Sequence, residues 1–422
     1  MYTAIFKEIV DIMHHDYAGF TDKKGLDSPE KYMNLVKALD AKEGDHVSRF
    51  EDIVQDYLLD FQDPHMSFNT LENEMRKKHD VGFAVRRYED KLYVTTVGKA
   101  DQFTIGDAII SMDEMPVPEL VNRYKRELMQ DIAEREDWKR ILPRFGVCEV
   151  LRLNGKKEIV ELQTYKKEYI PEYSMEHIND HTLYMKLTDF MDQDAVDRML
   201  HHHEKSLNET PHLIIDVRVN YGGSDEAFGN ILPYLFNEGT KTYPLYENYA
   251  MKANYTTRNC DLFIAEAQEM KKTTTDKRLL DMIPGYMKDL KEKKGKGFIE
   301  WGPSKYEEVT GTEYPKKVIV LSDVYCGSAG DFFVNACRYS PKTTIVGRPT
   351  AGLNDYSNLM KKTWHDQFEL LYPLTRLNAI DYRGHKTDGI QPHIYIPWTP
   401  RHIEQDIDLK KAFELLSYTD DK

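Results

Sequence analysis

The sequence predicts an α/β protein with a helical N-terminal region, a small β-rich module and a larger core. Apolar residues recur at helical spacing from Tyr2 to about Asp60, and short alternating strands follow between Val81 and about Tyr165. Beyond Tyr165, apolar strands alternate with helical segments, which is typical of a largely parallel sheet covered on both faces. The predicted domains are 1–75, 76–168 and 169–422.

The helical region shows its spacing most clearly near both ends. Ile5, Ile9 and Ile12 would share one face of a first helix, and Phe50 and Val54 would share one face of a later helix. The region ends at the turn "LDFQDPHMSF". We therefore predict a small helical bundle.

The β-rich module contains five candidate strands and one helix. The strands "VGFAVRRY", "KLYVTTV" and "DAIISMD" precede the helical "PVPELVNRYKRELM", and "VCEVLRL" and "KEIVELQ" follow it. Asn154-Gly155 lies between the last two segments and is a strong hairpin signal. The module therefore reads as a sheet inserted between two other regions.

The core contains apolar strands at "LIIDVRV" (213–219), "KKVIVLS" (316–322) and "TTIVG" (343–347). Helices are predicted at "DEAFGNILPYLF" and "GDFFVNACRYS", so the pattern is that of βαβ units. A charged, mostly helical segment at about 252–301 interrupts the alternation.

Composition excludes several functions. The formal charge of -14 argues against general nucleic-acid binding, which needs clustered Lys and Arg. No stretch approaches the roughly 18 apolar residues of a membrane span. The four cysteines lack CxxC or zinc-ligand spacing, which favours free thiols. We expect no metal, no cofactor and a cytoplasmic location, or an extracytoplasmic one if a leader has been removed.

Two turns follow core strands, at the sheet edge where α/β proteins build their sites. In "DVYCGSAG" Ser328 lies where a strand gives way to a helix, so the amides of Ser328 and Ala329 would be unpaired donors. In "NYGGSDE" Gly222 and Gly223 allow close approach of a backbone amide. Together these turns could form an oxyanion hole.

Simpler interpretations stay open for each turn. Gly-Gly after a strand is often only a turn, and Gly-Ser before a helix is often only an N-cap. Cys326 precedes the helix axis and is better explained as a small buried apolar residue than as a nucleophile. The run His201 to His203 lies on a predicted helix, where three consecutive imidazoles cannot converge on one ion.

Four motifs in order resemble the S41 peptidase family, which has a ClpP/crotonase-like core. They are "LYMKLTDF", "LIIDVRVNYGG", "VIVLSDVYCGSAGDFF" and "TTIVGRPTAG". The β-rich module is similar to a PDZ domain, since "IGDAIISMDEMPV" resembles a PDZ hairpin and "VGFAV" stands at the carboxylate-binding loop. The resemblance implies that Val81, Gly82 and Phe83 bind substrate tails by β-augmentation, unless this PDZ-like domain is structural only.

The resemblance also implies the catalytic groups of a serine peptidase that acts on polypeptides. Leu353 stands where one branch of the family has its lysine base, so a Ser/Lys dyad is not expected. The tricorn-like branch uses an upstream histidine, and "DFQDPHMSF" offers His65, with Asp63 two residues earlier. An imidazole suits taking the Ser328 proton and returning it to the leaving amine.

The third catalytic residue departs from the family pattern. Aligned without gaps, Lys386 stands where the family usually has Glu, whereas a two-residue deletion brings Asp388 to that place. We predict that Asp388 orients His65, although it could be a turn residue. Asp331 could instead stabilise the start of the helix after Ser328.

Two other function classes stay open. A non-catalytic ligand- or peptide-binding protein of the same fold would have lost the catalytic residues, and the presence of both Ser328 and His65 counts against it. A crotonase-type acyl hydrolase would share the oxyanion hole without needing His65, but a PDZ-like module suits polypeptides better than thioesters. Family members range from monomers to rings, so a homo-oligomer also stays open.

Overall fold

The computed structural model describes residues 1–42, 44, 46–71, 79–166, 168–275, 277–302, 306–383 and 388–417. The chain forms two compact units, each assembled from separate stretches. The first contains Met1–Glu74, Tyr246–Lys305 and Leu353–His385, and the second contains Met75–Leu245, Tyr306–Gly352 and Lys386–Lys422. Across the described ranges, no helix combines the length and apolar composition of a membrane span.

The first unit begins with the helices that the spacing predicts. Ile5, Ile9 and Ile12 are buried along one helix, and Phe50 and Val54 are buried along another. The helices of this unit span Tyr2–His15, Pro29–Asp40, Val47–Leu58, Thr257–Thr273, Lys277–Lys293 and Ile380–Arg383, with 3-10 turns at Leu59–Phe61 and Glu247–Tyr249.

An antiparallel sheet of five strands completes the first unit. Phe368–Leu377 pairs with Tyr356–Trp364 along one edge. Along the other edge it pairs with Ser67–Thr70 and with Met251–Tyr255, which in turn pairs with Gly297–Trp301. The last two strands form the ends of the segment at about 252–301 expected to be mostly helical, and two helices lie between them.

The second unit contains the predicted parallel sheet. Its strands, in spatial order, are Tyr173–Asn179, Thr182–Leu187, His212–Asp216, Lys317–Ser322, Thr343–Gly347 and Ile394–Tyr395. The first pair is antiparallel and the remaining pairs are parallel. His212–Asp216 and Lys317–Ser322, which precede the two turns of interest, are neighbours because Leu213 pairs with Val318. The mixed helix and sheet class is therefore confirmed.

A second sheet in this unit is antiparallel and runs in chain order. Its strands are Phe83–Tyr88, Lys91–Val97, Ala108–Met112, Val147–Leu151 and Lys157–Glu161, with Met115–Pro116 beside the third. The hairpin predicted at Asn154-Gly155 is confirmed, since Leu151 pairs with Lys157. Short pairs join His79–Asp80 to Tyr165–Lys166, Val219–Asn220 to Tyr325–Cys326, and Gly239–Tyr243 to Glu307–Gly311.

The helices of the second unit are mostly short. The helix predicted at "DEAFGNILPYLF" is divided in two, because Gly229 and Asn230 end the first turn and Pro233 starts another. The α-helices span Val117–Arg123, Lys125–Leu128, Gln193–His202, Glu204–Glu209, Glu226–Gly229, Leu232–Leu235, Ala329–Arg338, Arg401–Glu404 and Ile407–Ser417, and 3-10 turns span Ala133–Arg135 and Leu142–Arg144.

Candidate active site

Ser328 has an unusual backbone conformation at the junction of strand and helix. Its φ is 59° and its ψ is -119°, and the helix Ala329–Arg338 begins directly after it. A residue with a Cβ seldom adopts positive φ, and such strain concentrates at functional sites. The side chain is half-buried. We call residues 322–331 the serine turn.

Asp331 holds the serine turn through a reciprocal cap. The side chain of Ser328 accepts the backbone N–H of Asp331, and the Asp331 carboxylate accepts the Ser328 N–H at 2.9 Å. The other carboxylate oxygen accepts the Thr350 hydroxyl and the Gly352 N–H. Asp331 is buried, so these bonds fix the carboxylate in one position.

The neighbouring turn, residues 219–224, lies directly against the serine turn, and we call it the oxyanion turn. Val219 and Asn220 pair in parallel with Tyr325 and Cys326. A Cβ added at Gly222 would lie 2.7 Å from the Cβ of Ser328 and 3.2 Å from the Ala329 nitrogen. Glycine at 222, where φ is 75°, is thus required by both conformation and space.

The two glycines of the oxyanion turn differ in what their amides do. The N–H of Gly222 donates to the buried side chain of Asn220 at 3.0 Å. Phe190 bonds to the Gly222 carbonyl and the Ser224 amide, so the Gly223 amide faces the opposite edge of this bridge. The structure thus brings Gly222, Ser328 and Ala329 together, with Gly223 adjoining them.

Cys326 has the properties of a buried structural thiol. Its side chain is fully buried, and burial raises its pKa well above the usual range. A thiol of raised pKa is a poor nucleophile because the thiolate is the reactive form. The other three cysteines, at 148, 260 and 337, are also free and buried.

The serine turn is further supported by a buried ionic cluster. Asp323 pairs with Arg86 at 2.6 Å and with Arg348 at 2.8 Å, and Arg348 also pairs with Asp408 at 2.5 Å. Burial alone would raise the pKa of Asp323, but the two guanidinium groups lower it to about 2. Asp323 is therefore charged throughout the neutral range. No local pattern around these residues predicts the cluster, because its members lie far apart in the chain.

Asp388 belongs to a loop that packs beside the serine turn. The next residue but one, Ile390, donates its N–H to the Thr350 hydroxyl at 2.8 Å, and Thr350 in turn donates to Asp331. Arg135 donates to the carbonyls of Thr350 and Ala351 at 3.0 and 2.9 Å. Asp388 itself is exposed. Lys386, its alternative, lies outside the described residues.

Desolvation lowers the pKa of Arg135, and the carboxylates of Asp331 and Asp388 oppose that shift. The charge of Asp388 therefore acts on Arg135, which donates to the loop of Thr350 and Ala351 beside Asp331. Sequence reasoning missed Arg135 and Thr350, because each acts through contacts with residues distant in the chain.

His65 lies in the first unit, in a turn at residues 61–66 that we call the histidine turn. Asp63 shapes it by accepting the His65 backbone N–H at 3.0 Å and the Tyr17 hydroxyl at 2.7 Å. Lys23 donates to the carbonyls of Phe61 and Gln62 at 2.6 and 3.3 Å. The half-buried His65 has no hydrogen-bond partner at Nδ1 among the described residues.

The residues predicted to bind substrate tails are buried in the small sheet. Val81, Gly82 and Phe83 have little exposure, and the Gly82 amide donates to Asp80 at 2.8 Å. Gly82 also packs against Tyr165. Their binding role stays a prediction. His201 and His202 are exposed, and within the described residues no group of three His, Cys, Asp or Glu side chains could hold a metal ion.

Comparisons with known proteins bear on this arrangement. The profile of peptidase family S41 matches residues 181–396, slightly more than half of the chain. No curated protein sequence matches. Mature CPAF complexed with lactacystin is similar with a TM-score of 0.65 and 13% identity, covering 98% of this chain and 97% of CPAF.

Two further solved structures are similar. A second structure of mature CPAF has a TM-score of 0.64 at 12% identity and covers 98% and 96% of the two chains. The photosystem II D1 C-terminal processing protease has a TM-score of 0.47 at 14% identity and covers 94% and 93%. The profile match and the CPAF fold confirm the resemblance of the four motifs, and the chain belongs to peptidase family S41.

Proposed function

We propose that the protein is a serine peptidase in which Ser328 is the nucleophile and His65 is the general base. The observation that carries this proposal is the strained backbone of Ser328 at a helix start, with Gly222 in contact. This conformation is costly unless the surroundings enforce it. An ordinary N-cap serine has extended backbone dihedrals and needs no such conformation.

In the proposed reaction, His65 takes the hydroxyl proton as the Ser328 oxygen attacks a peptide carbonyl. The amides of Ala329 and Gly223 donate to the oxygen that becomes negative, since the Gly222 amide already donates to Asn220. His65 then gives the proton to the leaving amine. Water attacks the acyl-enzyme ester in the second half, again with His65 as base.

Asp388 is the proposed partner of His65 Nδ1. Its support is indirect: the Asp388 loop bonds to Thr350, which bonds to Asp331 of the serine turn. The unsatisfied, buried Nδ1 of His65 requires an acceptor. A carboxylate in that role would fix the imidazole tautomer and stabilise the imidazolium.

One observation favours a different function, a peptide-binding protein without turnover. The Ser328 side chain accepts the Asp331 N–H, as an N-cap does. In that case the oxygen would serve the helix only.

A fluorophosphonate probe distinguishes the two functions. Intact-mass spectrometry would follow labelling of wild type and of four variants, Ser328→Ala, His65→Ala, Cys326→Ala and Asp388→Asn. We expect labelling of wild type and Cys326→Ala, none of Ser328→Ala, and at least a 100-fold slower rate for His65→Ala. Peptide-library cleavage by wild type and Cys326→Ala that have not been treated with the probe would then identify the scissile bonds.

Each possible labelling result supports or contradicts one of the proposed roles. A labelled wild type whose Ser328→Ala variant is also labelled would contradict Ser328 as nucleophile. An unlabelled wild type that still binds library peptides would support the binding function. Equal labelling of Asp388→Asn and wild type would remove Asp388 from the site.

A further inference from the structure

Lys139 lies at the edge of the serine and oxyanion turns. Its ammonium group is 3.3 Å from the hydroxyl of Tyr221 and 5.0 Å from the ring centroid of Tyr325. Tyr221 directly precedes Gly222, and Tyr325 precedes Ser328 by three residues. Because the two turns pair through Val219 and Tyr325, one cation reaches residues of both.

The backbone next to Lys139 is held in place by a buried side chain and by hydrogen bonds. Trp138 is buried and donates from its indole to Glu136 at 3.1 Å. Glu136 accepts two bonds from Arg87, each of 2.6 Å. Asp137 accepts the Lys139 backbone N–H at 3.0 Å. These bonds, together with the burial of Trp138, fix the backbone on the N-terminal side of Lys139.

The ammonium group has capacity for another acceptor. In the part of the chain that the structure describes, no carboxylate forms an ion pair with Lys139, and the phenol of Tyr221 accepts one of its hydrogen bonds. An ammonium group has three N–H donors. The side chain is exposed, so a ligand can approach it.

The local environment keeps Lys139 charged. Desolvation lowers its pKa, but Asp137 and the phenol groups of Tyr221 and Tyr325 raise it more, so the net shift is upward. The rings of Tyr221 and Tyr325 also contact the cation through their faces.

We propose that Lys139 forms a specificity subsite for a carboxylate of the peptide substrate close to the scissile bond. This inference rests on the proposed peptidase function for the location of the scissile bond. A carboxylate there would accept a charge-assisted hydrogen bond from one of the remaining N–H donors of the ammonium group. Two sources share this chemistry: an acidic side chain and a free peptide C-terminus.

Equilibrium binding in the Ser328→Ala background tests the subsite without requiring turnover. Fluorescence anisotropy would compare labelled peptides that differ by Glu or Gln at one position, each with a free or amidated C-terminus. The variants are Lys139→Met and, as a matched control, Arg140→Met, which removes the same charge from the adjacent exposed residue.

We expect the carboxylate peptide to bind about tenfold more tightly than its amide, a preference retained in Arg140→Met and lost in Lys139→Met. Preference for Glu over Gln identifies a side-chain carboxylate, and preference for the free over the amidated end identifies a C-terminal one. Absence of any preference, or its retention in Lys139→Met, would overturn the proposal.

The same variants separate this proposal from the peptidase function. Fluorophosphonate labelling of the wild type tests the peptidase function, whereas the binding preference in the Ser328→Ala background tests the subsite. A preference that is present in the Ser328→Ala background and lost on adding Lys139→Met, together with an unlabelled wild type, would support the subsite and reject the peptidase.

Discussion

The serine turn and the histidine turn hold their candidate catalytic side chains by different means. Ser328 is held by a group three residues away, since Asp331 caps its amide. The histidine turn is held by Tyr17 and Lys23, whose bonds to Asp63 and Phe61 span 46 and 38 residues of sequence. Hydrogen bonds between residues close in sequence produce a recognisable motif, whereas hydrogen bonds between distant residues produce none.

Among the variants that test this comparison, Gly222→Ala is expected to reduce the labelling rate most. The added Cβ would meet the Ser328 Cβ at 2.7 Å and the Gly327 carbonyl at 2.8 Å, at a φ of 75°. Because the serine turn must move, we expect the fluorophosphonate labelling rate to fall about 1,000-fold. Gly229→Ala is the control, since its Cβ would meet no atom within 4 Å. Equal rates for both variants would show that the contact is unimportant.

Asp331→Ala is expected to have the next largest effect. It removes the acceptor for the Ser328 and Gly352 amides and the Thr350 hydroxyl, so the nucleophile loses its orientation. We expect labelling about 100-fold slower, with a smaller change in peptide affinity. Asp194→Ala removes an exposed carboxylate from the first turn of another helix and is expected to be neutral. A slow Asp331→Ala whose affinity falls equally would argue for general unfolding.

Tyr17→Phe tests the long-range hydrogen bond to Asp63 that holds the histidine turn. The change leaves one buried Asp63 oxygen without its donor, and we expect the free energy of unfolding to fall by about 1 to 3 kcal/mol. Labelling should slow about tenfold as His65 loses its position. Urea denaturation and labelling rates measure the two effects, with the exposed Tyr286→Phe as the control. An unchanged labelling rate would mean that the turn does not depend on Tyr17.

The smallest effect is expected at Asp225, which follows the oxyanion turn. Burial and the neighbouring Glu226 raise its pKa from 3.8 to about 6, so the native state binds its proton more tightly than the unfolded state. Stability is therefore lost as pH rises from about 4 to 6. Asp225→Asn should be more stable than wild type by about 1 to 2 kcal/mol at pH 7.5 and equal to it at pH 4.

Thermal denaturation at both pH values measures that difference, with the exposed Glu209→Gln as the control. A stabilisation of Asp225→Asn that persists at pH 4 would point to packing and not to charge.

Elements that depend on local pattern were predictable from the sequence. Lys91–Val97 and Thr343–Gly347 coincide with their predicted segments, because each is a short apolar or alternating run with clear boundaries. The contact between Gly222 and Ser328 also follows from pattern, since both turns leave adjacent parallel strands. The Ser328 cap by Asp331 was only partly foreseen, as a carboxylate at a helix start.

Other elements depend on distant partners. The hairpin Tyr356–Trp364 and Phe368–Leu377 was missed because its turn uses His365 and Asp366 at positive φ, where Asn-Gly is the usual signal. Met251–Tyr255 is extended because Ala253 pairs with Thr375, more than a hundred residues later. Arg135 was missed for the same reason, since nothing near it in sequence indicates that it bonds to Thr350.

The ionic cluster of Asp323, Arg348 and Asp408 also makes the serine turn depend on a residue that is synthesised after Ser328. Ribosomes build the chain from its N-terminus, so Ser328 is made before Asp408. Until then Arg348 has the Asp323 carboxylate but not that of Asp408, and burial of a poorly paired guanidinium is unfavourable. We expect a nascent chain arrested before residue 407 to resist fluorophosphonate labelling, which would keep an unfinished peptidase from acting on its surroundings.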